Sequence, residues 1–191
     1  MKSKLTTAQI TKIALMIAFV SVSSYIIIPL PFTPIAITGQ TLVINLIAMV
    51  LTPKEALFTT CCYWLLGFVG APVFSGGTSG PGKMLGPSGG YCVGFIIAAF
   101  LIACLRGKKY NPIRYSLVGV FVGIPALYSI AFVWMKLMTG MTWKAAFVAS
   151  VLPFIPLDLV KIVGAVLLAK PIQSAFYALE ATGGKVAENK L

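Results

Sequence analysis

Long apolar segments, interrupted only by short turns, fill most of this 191-residue chain. Hydrophobic residues make up 59% of the sequence, charged residues make up only 10%, and the mean hydropathy is +0.97. A soluble domain needs roughly 25% charged residues to cover its surface, so the apolar excess must face lipid. A membrane-spanning helix needs about 20 apolar residues, and six of them would occupy about 120 positions. The sequence therefore predicts one all-α, polytopic membrane domain over residues 1–191, with six transmembrane helices and no room for a soluble catalytic or nucleotide-binding module.

Turn-forming and charged residues divide the chain into these six apolar segments. We expect helices at residues 13–30, 35–51, 56–70, 89–105, 112–138 and 145–168. Residues 71–88 are rich in glycine and proline and show almost no helical periodicity, so they form a loop between the third and fourth helices. The residues after 170 form a mixed polar tail, with room for one or two amphipathic turns.

Lys and Arg are distributed unevenly between the two ends of such a bundle. Six spans put both termini on one side, together with eleven Lys and Arg residues, whereas three lie on the other side. The larger set is Lys2, Lys4, Lys12, Lys54, Arg106, Lys108, Lys109, Arg114, Lys170, Lys185 and Lys190, and the smaller set is Lys83, Lys136 and Lys144. The positive-inside rule then predicts cytoplasmic termini and an external loop 71–88. Because the cations lie between apolar runs and not on one solvated face, the net charge of +11 does not indicate nucleic-acid binding.

The types of side chain present exclude most catalytic and metal chemistry. The chain contains no histidine, and its four cysteines lack zinc-ligand spacing. Residues 77–84 come close to a P-loop pattern, but Met84 stands where a magnesium-binding Ser or Thr is required, and no buried strand precedes it. We therefore expect no enzymatic activity, no metal or other cofactor, and no ATP site within this chain.

Asp158 and Lys161 are charged residues inside the sixth apolar segment. Each such charge costs on the order of 3 kcal/mol at the centre of a spanning helix. Residues three apart lie on the same face of a helix and can pair, so a structural ion pair is one interpretation. The other is a ligand site, which two observations favour. Asp158 is the one acid within an apolar segment, and Pro153 and Pro156 just upstream loosen the helix and free backbone carbonyls.

The 71–88 loop and two flanking polar residues could complete such a site. Glycine density permits tight turns and close approach to a ligand, and Phe74, Met84, Leu85 and Tyr91 supply apolar anchors, so the loop could close as a lid over the bundle. A plain flexible loop is the alternative. Gln40, near the outer start of the second helix, could bond a ligand or a neighbouring helix, and the Tyr91 ring could stack on a ligand or anchor at the interface.

Four segments, taken in this order, resemble the BioY family, the biotin-specific substrate-binding (S) components of energy-coupling factor (ECF) transporters. They are residues 31–34 (PFTP) with Gln40, 74–77 (FSGG), 86–91 (GPSGGY) and 155–161 (IPLDLVK). The resemblance covers essentially the whole chain. The G-P-[ST]-G-G-Y and P-x-D-x-x-K patterns are fairly specific in combination, whereas each alone would not be.

The resemblance implies a six-helix protein in the cytoplasmic membrane of a prokaryote that captures biotin from outside. It implies three partner subunits: a transmembrane coupling subunit and two cytoplasmic ATPases, which bind the ATP that drives uptake. In that family the loop between helices three and four closes over the ligand, and an Asp and a Lys of helix six contact it. These residues are Asp158 and Lys161 here, and Tyr91 matches the tyrosine at the loop end. Ala14 and Ala18 resemble the small-residue face that docks on the coupling subunit.

Two positions depart from the family pattern. The polar amide that follows the loop glycines in some relatives is Thr78 here, and the basic residue that can follow the tyrosine is Cys92. Lys83 is a candidate replacement as the partner of the biotin carboxylate. The substrate-binding residues that we expect are Asp158, Lys161, Tyr91, Gly76, Gly77, Thr78, Phe74, Gln40, Lys83 and Leu85.

The chemistry of biotin suits an acid and an amine placed side by side. Its ureido group has two N–H donors and a carbonyl, its ring system is apolar, and its chain ends in a carboxylate. We expect Asp158 to accept from a ureido N–H and Lys161 to donate to a ligand oxygen, although the two roles could be exchanged. Two alternatives stay open: an S component for another small vitamin, and a self-sufficient proton- or ion-coupled carrier in which Asp158 titrates.

Overall fold

The structure is a computed structural model that describes the backbone of residues 6–188 and the side chains of residues 6–181. Lys2, Lys4 and Lys190, and the side chain of Lys185, all counted in the charge distribution, lie outside this range. The elements are α1 (Thr7–Ser23), β1 (Ile27–Ile28), β2 (Ile37–Thr38), α2 (Gln40–Val50), α3 (Pro53–Phe68), α4 (Pro81–Met84), α5 (Gly89–Leu105), α6 (Pro112–Val118), α7 (Ile124–Thr139), α8 (Trp143–Ser150) and α9 (Ile155–Glu188). A π-helical turn, Gly119–Gly123, joins α6 to α7.

Helix α2 lies at the centre of the bundle. It packs against α5 and α9, while α5 also packs on α3 and α7, and α1 packs on α3. Ile47 and Ala48 of α2 are fully buried. The outer helices instead point large apolar side chains away from the protein, among them Phe121 at 71% and Val160 at 68% exposure. An uncovered apolar surface of this extent is expected of a protein that faces lipid.

Two mainly helical stretches in the described part of the chain, Pro112–Thr139 and Trp143–Ala181, are long and apolar enough to cross a bilayer, and the second contains the non-helical residues 151–154. The apolar helices α1, α2 and α5 are shorter, with 17, 11 and 17 residues. The shortness of α2 has a local cause, because the chain before it forms a hairpin where the sequence predicted helix.

The prediction of helices at 13–30 and 35–51 is wrong around this hairpin. Helix α1 begins earlier because Thr6 and Gln9 form a capping box, and it ends at Ser23. The Ser23 and Ser24 hydroxyls bond to carbonyls of the preceding turn, at 2.8 and 2.7 Å. Strands β1 and β2 then pair antiparallel, with Ile27 opposite Thr38, and the prolines of residues 29–34 lie in the connection. The chain therefore turns back over the end of the bundle before α2 begins.

The next three helices differ less from expectation. Helix α3 begins at Pro53 because Thr52 and Glu55 form a second capping box, and it ends at Phe68. Helix α5 occupies residues 89–105, and the fifth segment runs from 112 to 139 with the π-helical turn inside it. The 71–88 loop contains the single-turn helix α4 and a backbone bridge between Phe74 and Thr78.

The prediction of one helix at 145–168 is wrong, because the segment divides into α8 and α9. Pro153 lacks the N–H that would bond to the Ala149 carbonyl, and the chain is non-helical from residue 151 to 154. Pro156 is tolerated because it lies in the first turn of α9, where backbone N–H groups have no partner within the helix. The tail is also longer than one or two turns, since α9 continues through Pro171 to Glu188.

Candidate ligand-binding site

A cavity opens at the end of the bundle where α2, α5 and α9 begin. It contains about 610 Å³ of space between atoms, the open mouth included. Its walls come from the hairpin connection, the 71–88 loop, and the first turns of these helices. The lining residues are Pro34, Ile35, Ala36, Thr38, Gln40, Thr41, Phe74, Ser75, Lys83, Ser88, Tyr91, Cys92, Phe95, Tyr128, Phe154, Asp158 and Lys161.

Asp158 is the centre of a hydrogen-bond network in this wall. Its side chain is buried, and Oδ1 accepts from Thr41 Oγ1 and from Lys161 Nζ, each at 2.9 Å. Oδ2 accepts from the Tyr128 hydroxyl at 2.6 Å. Lys161 Nζ also donates to Thr41 Oγ1 at 2.8 Å. A carboxylate and an ammonium group therefore lie side by side at the cavity, each held by a hydroxyl from a neighbouring helix.

The break between α8 and α9 places Asp158 in the first turn of α9. A carboxylate is favoured there by the positive end of the helix dipole. Because three helices begin around the cavity, three such positive ends surround it. The arrangement favours a ligand with acceptor or anionic groups facing the helix ends, while the aromatic rings of Phe74, Phe95 and Phe154 cover its apolar part.

Two hydroxyls satisfy the carbonyls that the break would otherwise leave exposed. Thr33 Oγ1 donates to the Ala149 carbonyl at 2.7 Å, the bond that Pro153 cannot make. The Tyr91 hydroxyl donates to the Ser150 carbonyl. Tyr91 lines the cavity, but its hydroxyl is already bonded to the Ser150 carbonyl. Tyr91 would therefore contact a ligand through the face of its ring. Thr33, in the PFTP segment, thus has a definite structural role.

The loop contributes Phe74, which is buried against α3. A methyl group on Gly67 would lie only 2.0 Å from Phe74 Cζ, so the ring sits directly on this glycine. Phe74 also meets the Tyr63 ring edge-on, with centroids 5.8 Å apart. The Tyr63 hydroxyl accepts from the Gln40 amide and donates to the Val73 carbonyl at 2.8 Å. Gln40 is therefore buried at the cavity wall and tied to the loop through Tyr63.

Gly76, Gly77, Thr78 and Leu85 were also predicted to bind substrate. None of them lines this cavity, and their contact with a ligand stays a prediction. Both glycines adopt positive φ, 73° and 71°, in the turn that presents Phe74 and Ser75. Thr78 is exposed and bonds to the Ser75 carbonyl at 2.9 Å. Leu85 is 67% exposed, whereas Met84 is buried, because the short helix α4 turns Met84 inward.

Lys83 lies at the cavity wall without a fixed partner. Its ammonium group makes neither a hydrogen bond nor an ion pair with the described part of the chain. It is half-buried, and Ser88 and Cys92 line the same cavity. This cation is free to bind an anionic group of a ligand.

The GPSGGY segment allows the loop and two helices to approach closely. A methyl group on Gly89 would lie 1.6 Å from the Met84 carbonyl oxygen, and one on Gly90 would lie 2.5 Å from Trp134 Cβ. Trp134 Nε1 donates to the Gly86 carbonyl at 3.0 Å. These glycines fix the loop against α5 and α7, and thereby position Lys83 and Tyr91.

Sequence reasoning missed Thr41, Tyr128, Phe95 and Phe154 as wall residues, and named Cys92 only as a departure from the family. Tyr128 and Thr41 each supply one hydroxyl within an apolar helix, and single hydroxyls give no spacing pattern. The available signal was their position: Thr41 directly follows Gln40, and Tyr128 directly precedes Ser129 in a mostly apolar helix.

Ala14 and Ala18 lie apart from the cavity, on the outer face of α1. Both are exposed, and the neighbouring Leu15 and Phe19 are exposed as well, at 41% and 43%. This face of α1 is not covered by any described part of the chain. It forms a smooth apolar stripe with two small residues at its centre.

Comparisons with known proteins agree in family and fold. The family model described as the BioY family matches residues 1–178. The biotin transporter BioY2 of Lactococcus lactis subsp. cremoris (strain MG1363) is 37% identical over 153 residues, covering 80% of this chain and 82% of that protein. The probable biotin transporter BioY of Pyrococcus horikoshii is 36% identical over 167 residues, covering 86% and 96%. The crystal structure of the S-component for biotin from an ECF-type ABC transporter matches with a TM-score of 0.81 at 25% identity, covering 87% of this chain and 90% of that one.

Proposed function

The chain belongs to the BioY family, and from this we propose that it is the biotin-binding S component of an ECF transporter. The fold is the all-α S-component fold, the protein is a prokaryotic membrane protein, and the family is one of transporters and not of enzymes. The substrate is biotin, the vitamin named for the similar proteins.

The observation that carries the proposal is the Asp158–Lys161 pair at the wall of an aromatic-lined cavity. A ureido group needs an acceptor for its N–H groups and donors for its carbonyl. Asp158 supplies the acceptor, and Lys161, Thr41 and Tyr128 supply donors within the same network. On binding, the ligand replaces part of the hydrogen bonding between Asp158 and Lys161.

The aromatic lining and Lys83 suit the ring system and the carboxylate of biotin. The apolar rings would lie among Phe74, Tyr91, Phe95 and Phe154, which present aromatic surface. The carboxylate at the end of the valeryl chain would reach the mouth, where Lys83 has a free ammonium group. Gln40 anchors the loop at the wall, while Gly76, Gly77 and Thr78 shape the turn that holds Phe74 over the ligand.

The same family membership supports a proposed orientation and partners. The described cations Lys12, Lys54, Arg106 and Lys108 belong to the bundle end opposite the cavity, which the positive-inside rule assigns to the cytoplasm. The cavity then opens to the outside of the cytoplasmic membrane. The coupling subunit would dock on the uncovered face of α1 at Ala14 and Ala18, and two cytoplasmic ATPases would supply the energy.

Binding calorimetry on purified protein in lipid nanodiscs tests the proposal. We expect wild-type protein to bind biotin, and Asp158→Asn and Lys161→Met each to lose about 2–5 kcal/mol, a fall in affinity of about 30-fold or more. Lys144→Met, a cation of the same bundle end that does not line the cavity, is the matched control and should bind like wild type.

Three outcomes would contradict the proposal. Near-native biotin affinity in both folded cavity variants would remove the pair from the site. Binding of another vitamin in preference to biotin would keep the site but change the substrate. Uptake in cells that persists without the ATPases and collapses with the proton gradient would indicate a self-sufficient carrier.

A further inference from the structure

Asn45, one helical turn below Thr41 on α2, has an unusual hydrogen-bond state. Its Nδ2 donates to the Thr41 carbonyl at 2.8 Å. Its Oδ1 is buried and has no hydrogen-bond partner in the described part of the protein. The orientation of the amide is fixed, because only the NH2 end can bond to a carbonyl. A buried acceptor left without a partner costs about 1–3 kcal/mol, so the atom needs an explanation.

A second cavity lies directly beneath the ligand cavity, and Asn45 lines it. The two cavities share three wall residues, Thr41, Phe95 and Asp158. Its free space fits about one water molecule. Apart from Thr41, Asn45 and Asp158 the side chains around it are apolar, namely Ile44, Phe95, Ala98, Ile102, Ile124, Leu127 and Ile162, with Gly123 completing the wall.

The π-helical turn creates the space that Asn45 faces. A methyl group on Gly123 would lie 2.6 Å from Ile102 Cδ1 and 3.7 Å from Asn45 Oδ1. Any larger side chain there would fill this space or push Ile102 away. A π-helical turn is rare and is frequently found at functional sites. Here it brings a glycine opposite Asn45 Oδ1, the one buried side-chain acceptor of the described residues that lacks a partner.

The hydrogen-bond count of Asp158 leaves room for one more donor. A carboxylate can accept about four hydrogen bonds, and Asp158 receives three, from Thr41, Lys161 and Tyr128. Among the residues that the structure describes, Tyr128 is the one donor to Oδ2. A water molecule has two protons to donate, and this cavity offers two acceptors with free capacity, Asn45 Oδ1 and the Asp158 carboxylate.

We propose that Asn45 holds a single buried water that bridges its Oδ1 to the Asp158 carboxylate, which makes Asn45 a positioning residue for the ligand site. The water keeps the carboxylate oriented when Lys161 and Thr41 turn to the ligand. The effect of Asn45 on biotin affinity rests on the proposed function, whereas the bridge to Asp158 does not. The two parts can therefore be tested separately.

The spectroscopic test uses the fact that Asp158 is the only aspartate in the chain. Cell-free synthesis with aspartate labelled with 13C at the side-chain carboxyl gives one carboxyl signal of known origin. We expect Asn45→Leu, which keeps the branched shape of the side chain but removes both the acceptor and the amide donor, to shift this resonance in protein without biotin. Asn45→Ser should restore the wild-type signal, because its hydroxyl can donate to the Thr41 carbonyl and still accept from the water. Ile47→Leu, a fully buried change on the same helix, should leave the signal unmoved.

The binding test uses the same three variants. Asn45→Leu should bind biotin about tenfold more weakly, the size of one hydrogen bond, while Asn45→Ser and Ile47→Leu should stay within about threefold of wild type. An unmoved Asp158 resonance in folded Asn45→Leu protein would overturn the inference even if biotin binds to wild type. A shifted resonance in a protein that fails to bind biotin in any form would leave the bridge intact and refute the proposed function instead.

Discussion

Asp158 and Lys161 combine a role in the fold with a role in the site. A charge inside an apolar segment is costly, so a pair that persists there requires partners. The structure supplies them from two other helices, with Thr41 on α2 and Tyr128 on α7. The same hydrogen bonds that make the pair tolerable without a ligand make it available to a polar head group.

Lys83 provides a prediction about the other end of the ligand. Lys83→Gln should lower biotin affinity about tenfold to 100-fold, because a hydrogen bond to a charged group contributes about 1.5–3 kcal/mol. The same change should leave the affinity for biotinamide, which lacks the carboxylate charge, nearly unaltered. Calorimetry with both ligands measures the difference.

Lys144→Gln is the control for a change of overall charge at this end of the bundle. Equal losses for biotin and biotinamide in Lys83→Gln protein would show that Lys83 does not face the carboxylate.

Some residues of the site could be predicted from the sequence, and others could not. Asp158, Lys161, Phe74 and Gln40 could be named because a charge in an apolar run, or a motif, marked them. Thr41 and Tyr128 could not, because the hydroxyl of each gains meaning only when α2 and α7 converge on Asp158. Leu85 and Met84 were both expected as apolar anchors, but only Met84 is buried, since the orientation of a single-turn helix depends on its packing.

Among the elements, the break between α8 and α9 does most to form the site. Pro153 stops α8, and the freed Ala149 carbonyl bonds to Thr33 on the hairpin connection. The break therefore lets α9 begin at the depth of the cavity and ties the hairpin to the bundle. Prolines in the segment were visible in the sequence, but whether they kink a helix or divide it depends on partners such as Thr33 that lie far away along the chain.

Thr33→Val tests this connection. In the wild-type background it should reduce the free energy of unfolding by about 1–2 kcal/mol, because the Ala149 carbonyl loses its donor. In the Pro153→Ala background the backbone N–H of residue 153 can bond to that carbonyl, so the same substitution should have a smaller effect. Unfolding in mixed micelles measures both steps of this double-mutant cycle. An identical loss in both backgrounds would disprove the coupling.

Gly67→Ala tests the packing of Phe74, from the 71–88 loop, against α3. The added methyl group would collide with the Phe74 ring, so we expect a loss of about 1–3 kcal/mol in stability and weaker biotin binding, measured by thermal unfolding and calorimetry. Gly82→Ala is the matched control on the same loop, because nothing lies within 4 Å of its added methyl group. Biotin affinity unchanged in folded Gly67→Ala protein would contradict a role for Phe74 over the ligand.

For the whole molecule, hydropathy was sufficient to predict the class, because six apolar segments of a 191-residue chain leave few alternatives to a helical membrane bundle. The hairpin over the cavity and the long α9 could not be predicted in this way. Hydropathy does not distinguish Ile27 and Ile28 from residues of an apolar helix. They form a strand because they pair with residues 37 and 38, about ten positions along the chain. Likewise, Glu180 joins Lys12 in an ion pair that holds the α9 extension against α1.

Arg106 provides a prediction that one end of the bundle stabilises the fold while the other end binds the ligand. Its buried guanidinium donates to the Ala48 and Leu51 carbonyls at the end of α2, at 2.9 and 2.8 Å, and to the Tyr115 hydroxyl at 2.8 Å. Arg106→Lys removes the guanidinium group that donates to all three acceptors. It should reduce the free energy of unfolding by about 2–4 kcal/mol, measured by unfolding in mixed micelles. Biotin affinity of the folded protein should stay within about threefold of wild type, because the site lies at the opposite end.

Arg114→Lys is the matched control for Arg106→Lys, because Arg114 is exposed and should tolerate the change. If Arg106→Lys weakens biotin binding while stability is unchanged, the two ends are coupled in a way that the structure does not explain.

The most direct measurement is an experimental structure of the protein with biotin bound in nanodiscs. We expect the ureido group within hydrogen-bond distance of Asp158 and Lys161, the rings among Phe74, Tyr91 and Phe154, and the carboxylate towards Lys83. Biotin bound elsewhere, with the Asp158–Lys161 pair still closed on itself, would contradict this expectation.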